Sequence, residues 1–400
     1  MFLCYLAVMI RLPFFIGLLC CFSVSGQIRT NNFIIGKTTG SLPYLEYGLG
    51  ADRLGGAKMT YLDTNIVVKV IDSTIGNYKI QLSKDHFAYL PKTNFKKDSV
   101  IKIQPYYLTN SWMVTGDSVY DYLIVNLEEK LPYRSTQQIN PSKIVIDVFG
   151  ATSNTNWITQ RSAAKEITNV YHEQTEDDVF RIIIELKHKQ HWGYSIYYKD
   201  KRLIIKVKRQ PEDLSLDNMK VAVDAGHGGD NNGASGVKTG IAEKKYTLLI
   251  AQQLEEALLD KEATVFMTRT TDTAIGMVER TEMIKKEDPH FLISIHLNSS
   301  VKDSVRGVST YYRYIGFRPL TQYIQQSMLK IGLKDFGNIG SFNFALSGPT
   351  EYPNCLVEVA FLSNKEDEQL ILDPGFHKAV ATQIVEGIKE WLKACKKDDD

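Results

Sequence analysis

The sequence predicts an α/β catalytic domain with a largely parallel sheet flanked by helices, preceded by two small all-β domains. Three observations lead there. Up to about residue 210 the chain alternates short β-prone runs with turn residues. After Gln210-Pro211-Glu212-Asp213 the apolar period changes, and strand-like runs alternate with helical ones. The length of 400 residues is too great for one average domain and suits two or three.

Taken in order, the chain starts with a leader. Arg11 precedes the apolar run Leu12 to Phe22, which is followed by the small-residue stretch Ser23-Val24-Ser25-Gly26. That order is the pattern of a secretory signal peptide over residues 1–26, with Met9 as an alternative start. The apolar core is short for a bilayer span of about 20 residues. Gly17-Leu18-Leu19 before Cys20 also permits a lipoprotein reading, but the residues next to that Cys are larger than such sites usually carry. The chain is therefore expected to cross the inner membrane and to be periplasmic or associated with the cell envelope.

Residues 27–98 are expected to form the first β module, with strands at Ile66 to Ile71, Tyr78 to Leu82 and Phe87 to Pro91, punctuated by Gly55-Gly56 and Gly76-Asn77. Residues 99–212 form the second, with strands at Lys143 to Gly150, Phe180 to Leu186 and Leu203 to Val207. Their alternation suits sheets with one wet face. Residues 219–395 form the α/β domain. There we expect strands at 221–225, 263–267, 291–296, 307–312 and 355–361, and helices at 245–260, 276–286, 320–331 and 376–393.

Composition excludes some functions. Lys plus Arg number 47 against 46 Asp plus Glu, so no basic stripe argues for a nucleic-acid partner. Cys4, Cys20 and Cys21 lie in the leader, and the two remaining cysteines, Cys355 and Cys395, do not make a disulfide framework. Cys355 opens an apolar strand and is expected to be a buried free thiol.

Chemistry-bearing residues gather in four runs of the α/β domain. Val221 to Ala225 leads into Gly226-His227-Gly228-Gly229. That turn lacks the Lys and Ser/Thr of a phosphate loop, and its glycines are not in dinucleotide spacing. Glu243 opens the following helix, and His296 ends the strand Phe291-Leu292-Ile293-Ser294-Ile295. His, Glu and His at such element ends suit a catalytic zinc ion that keeps one position open for water. The fourth run, Leu356-Val357-Glu358-Val359-Ala360-Phe361, puts a carboxylate in an apolar strand, where burial without a partner is costly. Histidines 86, 172, 188, 191, 290 and 377 lack such context and are expected to be structural or superficial.

In these runs the chain resembles the zinc-dependent N-acetylmuramoyl-L-alanine amidases of the Amidase_3 type, over residues 219 to 394. The family's Asp-Ala-Gly-His-Gly-Gly run stands at 224 to 229, its Glu-Lys element at Glu243-Lys244 with Leu248 beyond, and its Ser-Ile-His-x-Asn element at Ser294 to Asn298. Its last element stands at Leu356, Val357, Glu358, Phe361, Ser363 and Asn364. The second β block resembles the AMIN-type domain, and the first resembles bacterial SH3-like modules. The resemblance implies that His227, Glu243 and His296 bind one zinc ion per chain and that Glu358 is the catalytic carboxylate. It implies peptidoglycan or muropeptides as substrate, cut at the amide between the lactyl group of N-acetylmuramic acid and L-alanine, in wall remodelling and daughter-cell separation. Cell-division or wall-associated proteins are possible partners.

Several details are left open at this level. Arg269 and Arg280 fall where the family often has arginines, and surface salt bridges account for them equally well. Asp224 is a candidate to accept a hydrogen bond behind the ligand turn. Gly348, five residues before Pro353, stands where the family commonly has an Arg, which puts substrate contacts on that side in doubt. The stretch between His296 and Glu358 leaves no room for an extra blocking helix that some members carry, so no release by a partner is expected. Two other functions remain alternatives: a zinc peptidase or deacetylase acting on another wall amide, and a non-catalytic wall-binding scaffold.

Overall fold

Strand β1 (Lys220–Ala225) opens the C-terminal domain and is joined by β2 (Thr264–Met267), β3 (Phe291–Asn298), β4 (Val308–Tyr311), β5 (Asp335–Ile339) and β6 (Asn354–Phe361). The structure is a computed structural model that describes residues 33–50 and 55–397, so the expected signal peptide lies outside the described residues. Across the sheet the order is β2-β1-β3-β6-β4-β5. β1 runs parallel to β2 and β3, β3 parallel to β6, and β4 parallel to β5, but β4 is antiparallel to β6. The sheet is therefore mixed. The link from β3 to β4 contains no helix, and a short link cannot return a strand to the same direction.

Helices α1 (Glu243–Leu259), α2 (Met277–Glu287), α3 (Arg318–Met328), α4 (Lys365–Ile371) and α5 (Pro374–Lys397) complete the domain. Tyr246, Ile250, Leu254 and Leu258 bury one face of α1 at helical spacing. They share a core with Val221 and Val223 of β1 and with Val380, Ile384, Ile388 and Trp391 of α5. Ala222 points the other way, into a smaller cluster with Ile284 of α2, Leu292, Leu346 and Tyr352. Alternate residues of one strand thus fill two cores, as the pleat requires.

Two elements had no counterpart among the expected ones. β5, Asp-Phe-Gly-Asn-Ile, is a half-exposed edge strand whose Gly and polar residues erase the apolar alternation. α4 is short and acidic at its start. Its N-cap is Asn364, which accepts hydrogen bonds from the amides of Glu366 and Asp367 at 3.1 Å each. Losing such a cap costs about 1 kcal/mol. Asn364→Ala is expected to lower stability by that amount in a denaturant titration, and an unchanged midpoint would show that the cap is redundant.

The N-terminal region is all-β. One antiparallel sheet of seven strands covers residues 34–97. Four strands between Tyr133 and Leu186 form a second sheet, and a third holds the strands Tyr107–Gly116, Tyr120–Leu127, Tyr194–Lys199 and Arg202–Lys208. Val68, Val70 and Leu90 of the first sheet belong to the same hydrophobic core as Tyr107, Leu131 and Phe149. Backbone joins them as well, through Val67 N–H to Lys130 C=O at 3.1 Å.

This β region is packed on the C-terminal domain. The Trp192 and Trp391 rings lie 5.1 Å apart, and Trp391 Nε1 donates to Gln190 Oε1 at 2.9 Å. Gly316 N–H donates to Gln137 Oε1 at 2.8 Å, and buried Lys208 pairs with Asp288 at 2.7 Å. Among the described residues no helix is long and apolar enough to cross a membrane.

Candidate metal centre

The carboxyl ends of β1 and β3 lie side by side, and the α1 N-terminus faces them. His227 leaves β1 in a left-handed conformation (φ 62°), which costs a non-glycine residue energy. Two buried arginines hold the turn. Arg280 donates to His227 C=O and Ala225 C=O at 2.8 Å each, and Arg269 donates to Ala225 C=O at 2.9 Å and Gly226 C=O at 2.8 Å. The surface salt-bridge reading of these arginines is therefore replaced: Arg269 is 4% and Arg280 1% exposed.

Asp224 accounts for the second arginine. Its Oδ1 lies 2.6 Å from Arg280 Nη1 and accepts from Thr268 Oγ1 at 2.8 Å, while Oδ2 accepts from Ser294 Oγ at 2.6 Å. Burial opposes its charge, but Arg280 and the nearby His296 hold the carboxyl below its ordinary value. Asp224 thus works through the turn and contacts no histidine ring by hydrogen bond.

Three donor groups converge in front of this frame. Glu243 Oε1 stands 3.0 Å from His227 Nε2 and 3.0 Å from His296 Nδ1. One potential ligand atom from each residue lies within 4.8 Å of the other two. Glu243 is fixed by Leu297 N–H on Oε1 at 3.0 Å and Ala234 N–H on Oε2 at 2.8 Å. Burial pushes its pKa up, but hydrogen bonds to the two histidines outweigh this and hold the carboxyl well below the usual range. His296 is shifted the other way: burial works against its cation, and Glu243 more than compensates.

Two glycines make room for these side chains. A Cβ on Gly226 would sit 2.4 Å from His296 Cε1, and one on Gly233 would sit 2.4 Å from Glu243 Oε2. Two imidazoles and one carboxylate, with Glu243 and His296 buried and His227 partly open to solvent, fit a divalent transition metal, zinc above all.

Glu358 stands beside this cluster because of register. On the paired strands β3 and β6, His296 is opposite Glu358, so both side chains leave the same face of the sheet. Its charge also helps to raise the His296 pKa.

Other residues at the site were not singled out from the sequence. Asn231 Oδ1 lies 3.0 Å from His227 Nδ1 and fixes that ring from behind, the usual role of a group outside the ligands. Phe344 meets the His296 ring edge-on, with centroids 5.4 Å apart. Ser363 Oγ accepts from Ser300 N–H at 2.9 Å, which makes this motif residue a loop tie. The remaining histidines have local partners, such as Ile371 C=O for His377 and Gln138 C=O for His191. Cys355 and Cys395 are both buried, and Cys355 is a free thiol as expected. Between His296 and Glu358 the described chain has one α-helix, α3, and it packs against α5.

A His-Glu-His donor set at two strand ends and one helix start, with a carboxylate on the adjoining strand, makes this a candidate metal centre in an α/β domain. A family model described as N-acetylmuramoyl-L-alanine amidase matches residues 221–390, and an AMIN domain model matches residues 112–207. The two matches thus fall on separate parts of the chain, the amidase model on the α/β domain and the AMIN model within the β region before it. The chain is similar to a "Probable cell wall amidase LytH" of Staphylococcus aureus, 31% identical over 184 residues, which are 46% of this chain and 62% of that relative. Among solved structures it is similar to the catalytic domain of the CwlV N-acetylmuramoyl-L-alanine amidase from Bacillus (Paenibacillus) polymyxa var. colistinus. That likeness is 31% identical and covers 44% of this chain and 98% of that one, with a TM-score of 0.42. An N-acetylmuramoyl-L-alanine amidase from Clostridium difficile 630 is 28% identical, with 44% and 98% covered and a TM-score of 0.43.

Proposed function

We propose that this protein is a zinc-dependent amidase that cleaves the bond between N-acetylmuramic acid and L-alanine of the peptidoglycan stem peptide. The observation that carries this reading is the convergence of His227, Glu243 and His296 with Glu358 in register beside them, inside the segment that the amidase model matches. The three donors would hold one zinc ion per chain. A zinc ion with three protein ligands supplies Lewis acidity and acidified water at its open position.

The chain's own residues divide the rest of the work. Glu358 takes a proton from the attacking water and returns it to the departing L-alanine nitrogen. Water adds to the lactyl carbonyl carbon, the C–N bond breaks, and a lactyl carboxylate and a free amine result. Asn231 keeps the His227 ring oriented, and Arg269 and Arg280 keep its turn rigid, so the donors need not reorganise during turnover.

The AMIN domain and the cell-wall relatives support a place outside the cytoplasm, in wall remodelling that includes separation of daughter cells. The modules at 27–98 and 99–212 would hold the catalytic domain, 219–395, at the wall, with wall-associated or division proteins as further partners.

The test is mass spectrometry of purified peptidoglycan after digestion. Stem peptides that begin at a free L-alanine amine are expected, lost on chelation and restored by zinc. Cuts at another amide would make the protein a peptidase or deacetylase, and binding without new products would make it a scaffold.

A further inference from the structure

The loop between β5 and β6 carries Phe344 to the donor cluster, and its fixing points come from far away in the chain. Phe344 stacks on Phe342, with centroids 6.0 Å apart, and Phe342 lies 4.5 Å from the Tyr311 ring. This aromatic row ends at His296. What holds it is the N-terminal sheet. Lys58 N–H donates to Asn343 Oδ1 at 3.1 Å, and Asn343 Nδ2 donates to Gly56 C=O at 2.8 Å. The Asn343 amide therefore pairs with that backbone as a neighbouring strand would. Arg313 bridges the same groups, donating to Lys58 C=O and to Asn343 Oδ1.

The strand Lys58–Tyr61 contributes a side chain as well. Tyr61 O–H donates to Ala345 C=O at 3.4 Å, and Tyr314 O–H donates to Gly348 C=O at 2.8 Å. A Cβ on Gly348 would come within 2.7 Å of Tyr61 Cε2. Real Cβ atoms do not approach that closely, so a larger residue at 348 must displace the Tyr61 ring.

We propose that the N-terminal sheet is a built-in wall of the catalytic site: through Tyr61, Asn343 and Arg313 it fixes the 342–348 loop and so holds Phe344 against His296. This rests on His296 being a metal ligand of the amidase. Tyr61, Asn343 and Arg313 are positioning residues, because each acts through the loop. The glycine at 348 is then the residue that lets the two parts of the chain meet. The first β module is part of the site's construction in this molecule, whatever else it binds.

The experiment uses the full chain. Hydrogen exchange is followed for amides 342–348, and kcat and KM on purified peptidoglycan are measured beside zinc content. Asn343→Ala and Gly348→Arg are expected to speed exchange in that loop and to lower kcat/KM by about 10- to 100-fold, since small misplacements at a reacting centre are costly. Zinc content should stay at one per chain. Tyr61→Phe, which keeps the ring but removes the hydroxyl tie to Ala345 C=O, should fall between the parent and Tyr61→Ala, whereas Tyr61→Ala should resemble Asn343→Ala. Parental exchange and parental kinetics in Asn343→Ala would overturn the proposal, even if Gly348→Arg does not fold. If the parent cleaves no peptidoglycan, the amidase reading fails, and loop exchange alone still decides whether the sheet fixes the loop.

Discussion

Glu358→Gln is expected to lower kcat by about 10²- to 10⁴-fold, the usual contribution of a positioned general base, with zinc content unchanged. The substitution keeps shape and hydrogen-bonding size and removes only the capacity to accept and return a proton. It is also structurally mild. Val357 and Val359 on either side are fully buried and anchor β6 whatever stands at 358, and the backbone pairing with His296 does not involve the side chain. The loss should therefore appear in turnover on peptidoglycan and leave the melting temperature near the parent's. A variant with parental turnover would remove Glu358 from the chemistry and leave the donor cluster to act with another base.

Much of this site was legible because its pieces are local. Asp224 to Gly229, Ser294 to Asn298 and Leu356 to Phe361 are continuous runs, each bound to one strand, and their residue types mark candidate metal donors without any distant contact. The register that sets Glu358 beside His296 was not legible, since strand pairing leaves no mark inside either run. The mixed sheet was missed for a related reason. Val308 to Tyr311 reads as a strand in either direction, and only the helix-free link after Asn298 reverses it. Arg269 and Arg280 looked like surface residues by type, and what buries them is the demand of five backbone carbonyls at and around the ligand turn. The pairing of Asn343 with Lys58 spans 285 positions. No periodicity reports a contact of that kind, and Asn343 itself reads as an ordinary loop residue.

Arg280→Met is expected to cost about 3–5 kcal/mol, because it strands a carboxylate in the interior. Arg280 and Asp224 are each about 1% exposed on their side chains and lie 2.6 Å apart. Thr268 and Ser294 would remain as hydrogen-bond donors to Asp224, but neither carries charge. The same change frees His227 C=O, which Arg280 holds in the strained turn, so zinc should bind more weakly as well as the fold melting earlier. Pairing the change with Asp224→Asn should restore a large part of the stability, since the charge that needed a partner is gone, but little of the zinc affinity, since the turn stays unheld. Acid distinguishes the variants further. In the parent the Asp224 carboxyl is held below its unfolded value of about 3.9. Its contribution is thus present above that pH and is lost as the pH falls through the lower folded value. The parent should lose this increment on acidification below about pH 4, and the double variant, with no carboxylate at 224, should not. Chemical denaturation at neutral and acid pH, with zinc titration of each variant, measures both parts. Full recovery of zinc affinity in the double variant would mean that the arginine serves only to neutralise Asp224 and has no part in shaping the turn.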